Sequence, residues 1–196
     1  MLVVSAFMCV YFMLLNHPQY PVRVMPLLAA DRWIGFVPWA VAPYVSLWLY
    51  IGLVPSLLRW REMPRYLAAA GVLAALGCAA FYFRPTAVPD FPIDWSRWPM
   101  VAALKATDAA GNACPSLHVA FSVLTVVWLG RLLRVAGAPA GWRALNVAWC
   151  LLIVWSTMAT RQHVAWDVIA GAVLGGLAAV VSLAGRRGGH RTPVLE

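Results

Sequence analysis

The chain has 196 residues, 63% hydrophobic and 11% charged, with a mean hydropathy of +0.76. Soluble domains carry about 25% charged residues, so a water-soluble protein is excluded and an integral membrane protein is expected. The net charge of +8 does not point to nucleic acid, because the basic residues are scattered between apolar runs; a positive-inside bias accounts for them.

Crossing a hydrocarbon core about 30 Å thick takes roughly 20 mostly apolar residues. Six such runs are expected, at 1–15, 36–58, 65–83, 115–135, 144–161 and 163–184. The first is short, but it lacks a basic leader, and "NHPQYP" (Asn16–Pro21) is no small-residue cleavage site, so it reads as a span rather than a signal peptide. The fold class is therefore all-α: one six-helix membrane bundle. Cys9, Cys78, Cys114 and Cys150 show no metal-binding spacing, and three of them lie in apolar runs, so no disulfide framework is expected.

Six spans put both termini on one side, together with the connections 59–64 and 136–143. That side receives Arg59, Arg61, Arg65, Arg131, Arg134, Arg143, Arg186, Arg187 and Arg191 against Glu62 and Glu196, nine basic residues to two acidic. The opposite side receives Arg23, Arg32, Arg84, Arg97, Lys105 and Arg161 against Asp31, Asp90, Asp94, Asp108 and Asp167, six to five. The bias sets both termini inside. Fourteen arginines against one lysine match the coding bias of a GC-rich bacterial genome, which makes a bacterial plasma membrane the expected location.

The polar features then gather on the outer face. The longest connection, Phe83 to His118, contains "PIDWSRWPM" (Pro92–Met100), whose tryptophans alternate with charge as in an interfacial segment. It ends in "CPSLH", Cys114–His118. The turn between the last two spans carries "TRQHVAWD", Thr160–Asp167. If the last helix starts near Gln162, His163 and Asp167 are four residues apart on one face. A carboxylate there can accept one ring N–H and leave the other nitrogen as a nucleophile. By itself the pair also reads as two groups neutralising each other in the bundle, at a depth where an unpaired carboxylate is expensive.

In "CPSLH", Pro115 suits a first helical position, and Ser116 or Asn112 can cap. A helix N-terminus offers free N–H groups to an anion, and His118 in the first turn can donate a proton to a leaving oxygen; alone, the stretch reads rather as an ordinary capped span with an interfacial histidine. Arg84, before the helix-stopping Pro85, carries the fork that suits phosphate, although a lone arginine at a span end commonly snorkels. Arg161 has the same two readings. Together these groups suit phosphoryl transfer, which needs a nucleophile, a proton donor and positive clamps. No carboxylate cluster is available for Mg²⁺, so a metal-free phosphohistidine route, with no cofactor, is expected.

At these residues the sequence resembles the type-2 phosphatidic acid phosphatase superfamily, the lipid-phosphatase and haloperoxidase group. That family's motifs run KxxxxxxRP, PSGH and SRxxxxxHxxxD. Here they stand as Arg84–Pro85, "PSLH" at Pro115–His118 and "HVAWD" at His163–Asp167. The resemblance covers roughly residues 65–185. It implies that His163 attacks phosphorus, Asp167 orients it, His118 protonates the leaving group, and Arg84 and Ser116 grip phosphate. It also divides the chain into N-terminal transmembrane helices (1–64), a catalytic core (65–185) and a basic cytoplasmic tail (186–196).

Three positions depart from the motifs: Gly77 stands where the family has lysine, Thr157 where it has arginine, and Leu117 where it has glycine. "PSLHVAF", with a basic residue just before "QH", is similar to the branch of inositol-phosphorylceramide synthases and their bacterial relatives. Arg161 and Lys105 are expected to replace the lost positive charge. The expected partners are a membrane lipid phosphate and the bilayer, with no nucleic acid. A non-catalytic lipid-binding or lipid-translocating protein on the same scaffold is the alternative. Oligomeric state leaves no mark in the sequence.

Overall fold

The structure is a computed structural model that describes residues 2–107 and 111–184. Asp108, Arg186, Arg187, Arg191, Glu196 and the tail 186–196 lie outside the described residues. Among those described, the helices in chain order are α1 (Leu2–Asn16), α2 (Ala29–Trp33), α3 (Val41–Val45), α4 (Leu47–Leu57), α5 (Met63–Phe83), α6 (Pro99–Thr107), α7 (Leu117–Val135), α8 (Ala140–Ala159) and α9 (Ala165–Ala184). Short 3-10 turns at Pro38–Ala40 and Trp95–Arg97 join them.

Five stretches are long and apolar enough to cross a membrane: Pro38–Leu57, α5, α7, α8 and α9. The first is a composite of the 3-10 turn, α3 and α4. Helix α1 has 15 residues, a rise of about 22 Å at 1.5 Å per residue, and falls short of that length. The long connection between α5 and α7 holds α6, a helix that the interfacial reading of "PIDWSRWPM" did not foresee. The all-α expectation also needs one amendment. Strand β1 (Arg23–Val24) pairs in parallel with β2 (Thr86–Ala87), in register Arg23 to Thr86, and Thr86 bridges onward to Asn112.

Helix α7 is the central post, packed chiefly on α9 and α8, with α4 and α5 beside it. Leu73, Leu124, Trp128 and Ile153 fill the core between these helices, while Leu49, Val72, Val180 and Val181 face outward, as lipid-facing positions do. Several polar groups inside the bundle are paired, as burial favours. The Tyr50 hydroxyl donates to Asn146 Oδ1 at 2.8 Å, and the Asn146 amide donates to the Val126 carbonyl at 2.9 Å. Trp128 donates its indole N–H to Ser182 Oγ at 3.0 Å. At the end far from the His118-bearing mouth of α7, Arg131 and Glu62 form an ion pair at 2.8 Å. All four cysteines are free thiols.

The α7–α9 contact is close enough to bring backbones together. A Cβ at Gly171 would run into the Ser116 carbonyl, and one at Gly175 into the Ala120 carbonyl. Spaced four apart, the two glycines give α9 a groove for α7, the small-residue packing that suits helices in lipid. Replacing Gly175 by leucine is expected to separate the pair and cost about 1–3 kcal/mol, the usual range for overpacking. Thermal unfolding in detergent checks this; a melting temperature equal to that of the unmodified chain would refute the close approach.

Candidate active site

Helix α8 ends in a Schellman motif. Gln162 N–H donates to the Thr157 carbonyl and Arg161 N–H to the Met158 carbonyl, both at 3.0 Å. Arg161 takes the left-handed position, φ 59°, where glycine is usual. His163 N–H also donates to the Thr157 carbonyl at 3.0 Å. Residue 157, where the family has its arginine, is thus a buried threonine whose carbonyl ties down the loop. Helix α9 then starts at Ala165, three residues later than expected, because the Schellman turn consumes 160–162. His163 lies before the helix, and the expected four-residue spacing of His163 and Asp167 along one helical face is not realised.

Asp167 instead sits in the first turn of α9 and reaches back. Its Oδ2 accepts the Val164 N–H at 2.9 Å, the return half of a capping box. The same oxygen lies 3.7 Å from His163 Nδ1, an ion-pair separation beyond hydrogen-bond length. The partner at hydrogen-bond distance is a backbone group: His163 Nδ1 is 3.1 Å from the Ala113 carbonyl. A carbonyl only accepts, so Nδ1 carries the proton, and in the neutral ring Nε2 holds the free lone pair. That Nε2 is buried and without a protein partner, as is Asp167 Oδ1.

The second histidine comes from α7. Ser116 is the N-cap, accepting the Val119 N–H at 3.3 Å, and a hydroxyl used in this way keeps its own proton to donate. The Ser116 N–H donates to the Asp167 carbonyl at 3.0 Å, which locks the mouth of α7 to the first turn of α9. His118, two residues on, has its ring centroid 5.7 Å from that of His163. On its other side stands Tyr44 of α3, with ring centroids 4.6 Å apart and the hydroxyl 3.4 Å from His118 Nδ1. Sequence reading did not single out Tyr44.

The "RPT" stretch holds the loop between these elements. The Thr86 carbonyl accepts the Ala113 N–H at 3.0 Å, and its hydroxyl accepts the Cys114 N–H at 2.8 Å. Thr86 therefore fixes the residue whose carbonyl fixes His163. Arg84 caps the end of α5 and is exposed; among the described residues no contact joins its side chain to the histidines. Asn112, an expected alternative cap, instead donates its amide to the Tyr11 hydroxyl of α1. Burial, with the Asp167 charge second, pushes the Cys114 thiol up to about 11, which makes it a poor nucleophile at neutral pH.

Two cations reach the His163 loop. Lys105 donates to the Arg161 carbonyl at 3.1 Å and lies 4.7 Å from the Trp95 ring centroid. The Arg161 guanidinium stacks on Phe91 at 4.4 Å and donates to the Asp31 carbonyl at 2.9 Å. Burial lowers its pKa, and the Asp31 charge opposes that shift.

Two of the motif departures meet in space. A Cβ on Gly77 would stand 2.5 Å from Leu117 Cδ2, so the leucine in "PSLH" occupies the room that a side chain at 77 would need. In this chain the two departures are therefore steric neighbours. Gly77→Ala is expected to lower stability, and Leu117→Ala to relieve that loss, with a coupling energy of at least about 0.5 kcal/mol in the double variant. Additive effects in thermal unfolding would refute the pairing.

No curated protein and no solved structure gives a significant match to the chain. A profile of the PAP2 superfamily matches residues 63–188, which takes in Arg84, the mouth of α7 and the whole His163 loop. With well over half of its length matched, this chain belongs to the PAP2 superfamily.

Proposed function

We propose that the protein is an integral-membrane lipid-phosphate phosphatase or phosphotransferase that works through a phosphohistidine intermediate without metal. The observation that carries the reading is His163: its Nδ1 proton is committed to the Ala113 carbonyl, and its Nε2 is buried and unpartnered beside the ring of His118. Family membership supports the lipid-phosphatase class, and the apolar helices support a substrate drawn from the bilayer.

In this mechanism the His163 Nε2 lone pair attacks phosphorus, and the ester P–O bond breaks. His118 gives its proton to the leaving oxygen. As the acid, His118 is an imidazolium, in which both ring nitrogens are donors: Nδ1–H donates to the Tyr44 hydroxyl oxygen, and the Nε2 proton is the one transferred. Water or an alcohol then attacks phosphorus and returns its proton to His118. The P–N bond breaks and His163 is restored. Asp167 holds the α9 turn through Val164 and places negative charge beside the imidazolium that forms. Ser116 with the α7 N-terminus, Arg84, Arg161 and Lys105 supply donors and positive charge for the phosphoryl oxygens.

The leucine at 117 and the basic residue before "QH" support the branch similar to inositol-phosphorylceramide synthases, in which an alcohol acceptor replaces water. The reading includes α1 as a sixth span, both termini inside, division at 65 and 185, and an active site on the outer or periplasmic face of a bacterial plasma membrane.

A panel of phosphatidate, polyprenyl phosphates and diphosphates, and phosphoinositides, given to the detergent-purified protein, tests the class. Release of phosphate or formation of a new phosphodiester is expected, surviving EDTA. His163→Ala should reduce turnover by at least about 10³-fold, as loss of a covalent nucleophile does. Turnover unaffected by that change would sink the mechanism, and a loss in EDTA restored by Mg²⁺ would count against the metal-free route.

A further inference from the structure

The His163 loop is held from outside the family-matching region. Asp31, on α2, is 3% exposed, yet it is 32 residues before that region begins. Both of its carboxylate oxygens are used. Oδ2 accepts the Leu28 N–H at 2.7 Å, at the start of its own short helix. Oδ1 accepts the Ala165 N–H at 2.8 Å, the first amide of α9 and two residues beyond His163. Its main-chain carbonyl accepts from Arg161 at 2.9 Å, two residues before His163. A single residue thus grips the loop on both sides of the histidine.

The chain around Asp31 is itself anchored to neighbouring parts of the site. Arg23 and Met25 donate to the carbonyls of Pro85 and Ala87 at 3.0 and 2.9 Å, and Val37 N–H donates to the Ala159 carbonyl at 2.9 Å. Residues 23–37 therefore run as a strap from the "RPT" segment to the end of α8. The strap also stabilises a strained residue. A non-glycine residue in the left-handed region is unfavourable and persists where its surroundings over-determine it. Arg161 is in that region, with its guanidinium fixed by Asp31 and Phe91. The buried carboxylate also places negative charge at the N-terminus of α9, and that charge favours the charged form of Arg161 against its burial.

We infer that Asp31 is a positioning residue for the reaction: it sets the height and direction of the His163 loop against His118 without touching substrate. The inference rests on the phosphohistidine reading for its kinetic consequence, but its geometric content stands apart from it. Asparagine at 31 keeps one acceptor oxygen and the backbone carbonyl; alanine keeps the carbonyl alone.

The test compares the full chain in detergent with Asp31→Asn and Asp31→Ala, using the best phosphate ester of the panel. Expected are a fall in kcat of about tenfold or more for alanine, with an intermediate value for asparagine and little change in KM, the pattern of a displaced catalytic group. Amide exchange followed by mass spectrometry on peptides covering 157–168 should quicken in both variants, while peptides from α7 and α8 away from the loop keep wild-type rates. A kcat within twofold of wild type for both variants, per folded molecule, would overturn the positioning role. So would wild-type exchange in 157–168, or loss spread evenly over the whole bundle. If alanine at 31 yields no folded protein, asparagine alone decides by the same two readouts. A wild-type chain inactive on every ester would remove the functional reading, and local exchange would still decide whether Asp31 holds the loop.

Discussion

The site depends on how closely α7 and α9 approach. Only because residues 171 and 175 lack side chains can the carbonyls of Ser116 and Ala120 lie against α9. That contact lets the Ser116 N–H reach the Asp167 carbonyl, so the first turns of two helices far apart in sequence are joined by a main-chain bond. The two imidazoles are then adjacent as a result of helix packing, and the loop that carries His163 needs only fine adjustment.

The adjustment is made largely by backbone groups. Thr86 binds the Ala113–Cys114 segment through both its carbonyl and its hydroxyl. The Thr157 carbonyl collects two amides of the His163 loop, and Asp31 collects the first amide of α9. Side-chain carboxylates serve here as helix-end acceptors as much as charge partners. Asp31 and Asp167 play the same part, each returning one oxygen to the amide just before its own helix.

The sequence made the apolar helices legible because their composition and length follow from the thickness of a bilayer. It also marked Ser116 as a cap and put His118 in a first turn, since capping chemistry is local. It misplaced the start of the last helix, because an arginine rather than a glycine takes the left-handed position that ends α8, and no local signal reveals that. Asp31 and Tyr44 were missed for a different reason. Their partners are 134 and 74 residues away, and a lone acid or tyrosine near an apolar run has no periodicity to set it apart. Gly77 and Leu117 were visible as two separate departures from a motif, but only packing shows that they touch.

The bond from His163 to the Ala113 carbonyl has a consequence for how such a centre changes over time. When a carboxylate side chain orients a histidine, the orienting group is written in the gene and can be lost in one substitution. A peptide carbonyl is present whatever residue occupies the position, so the tautomer of His163 is insensitive to the identity of residue 113. It is sensitive instead to the path of the main chain, which Thr86 governs. Inheritance of the ring's orientation therefore passes through a loop's shape, and substitutions that leave every charged group in place can still turn the imidazole away.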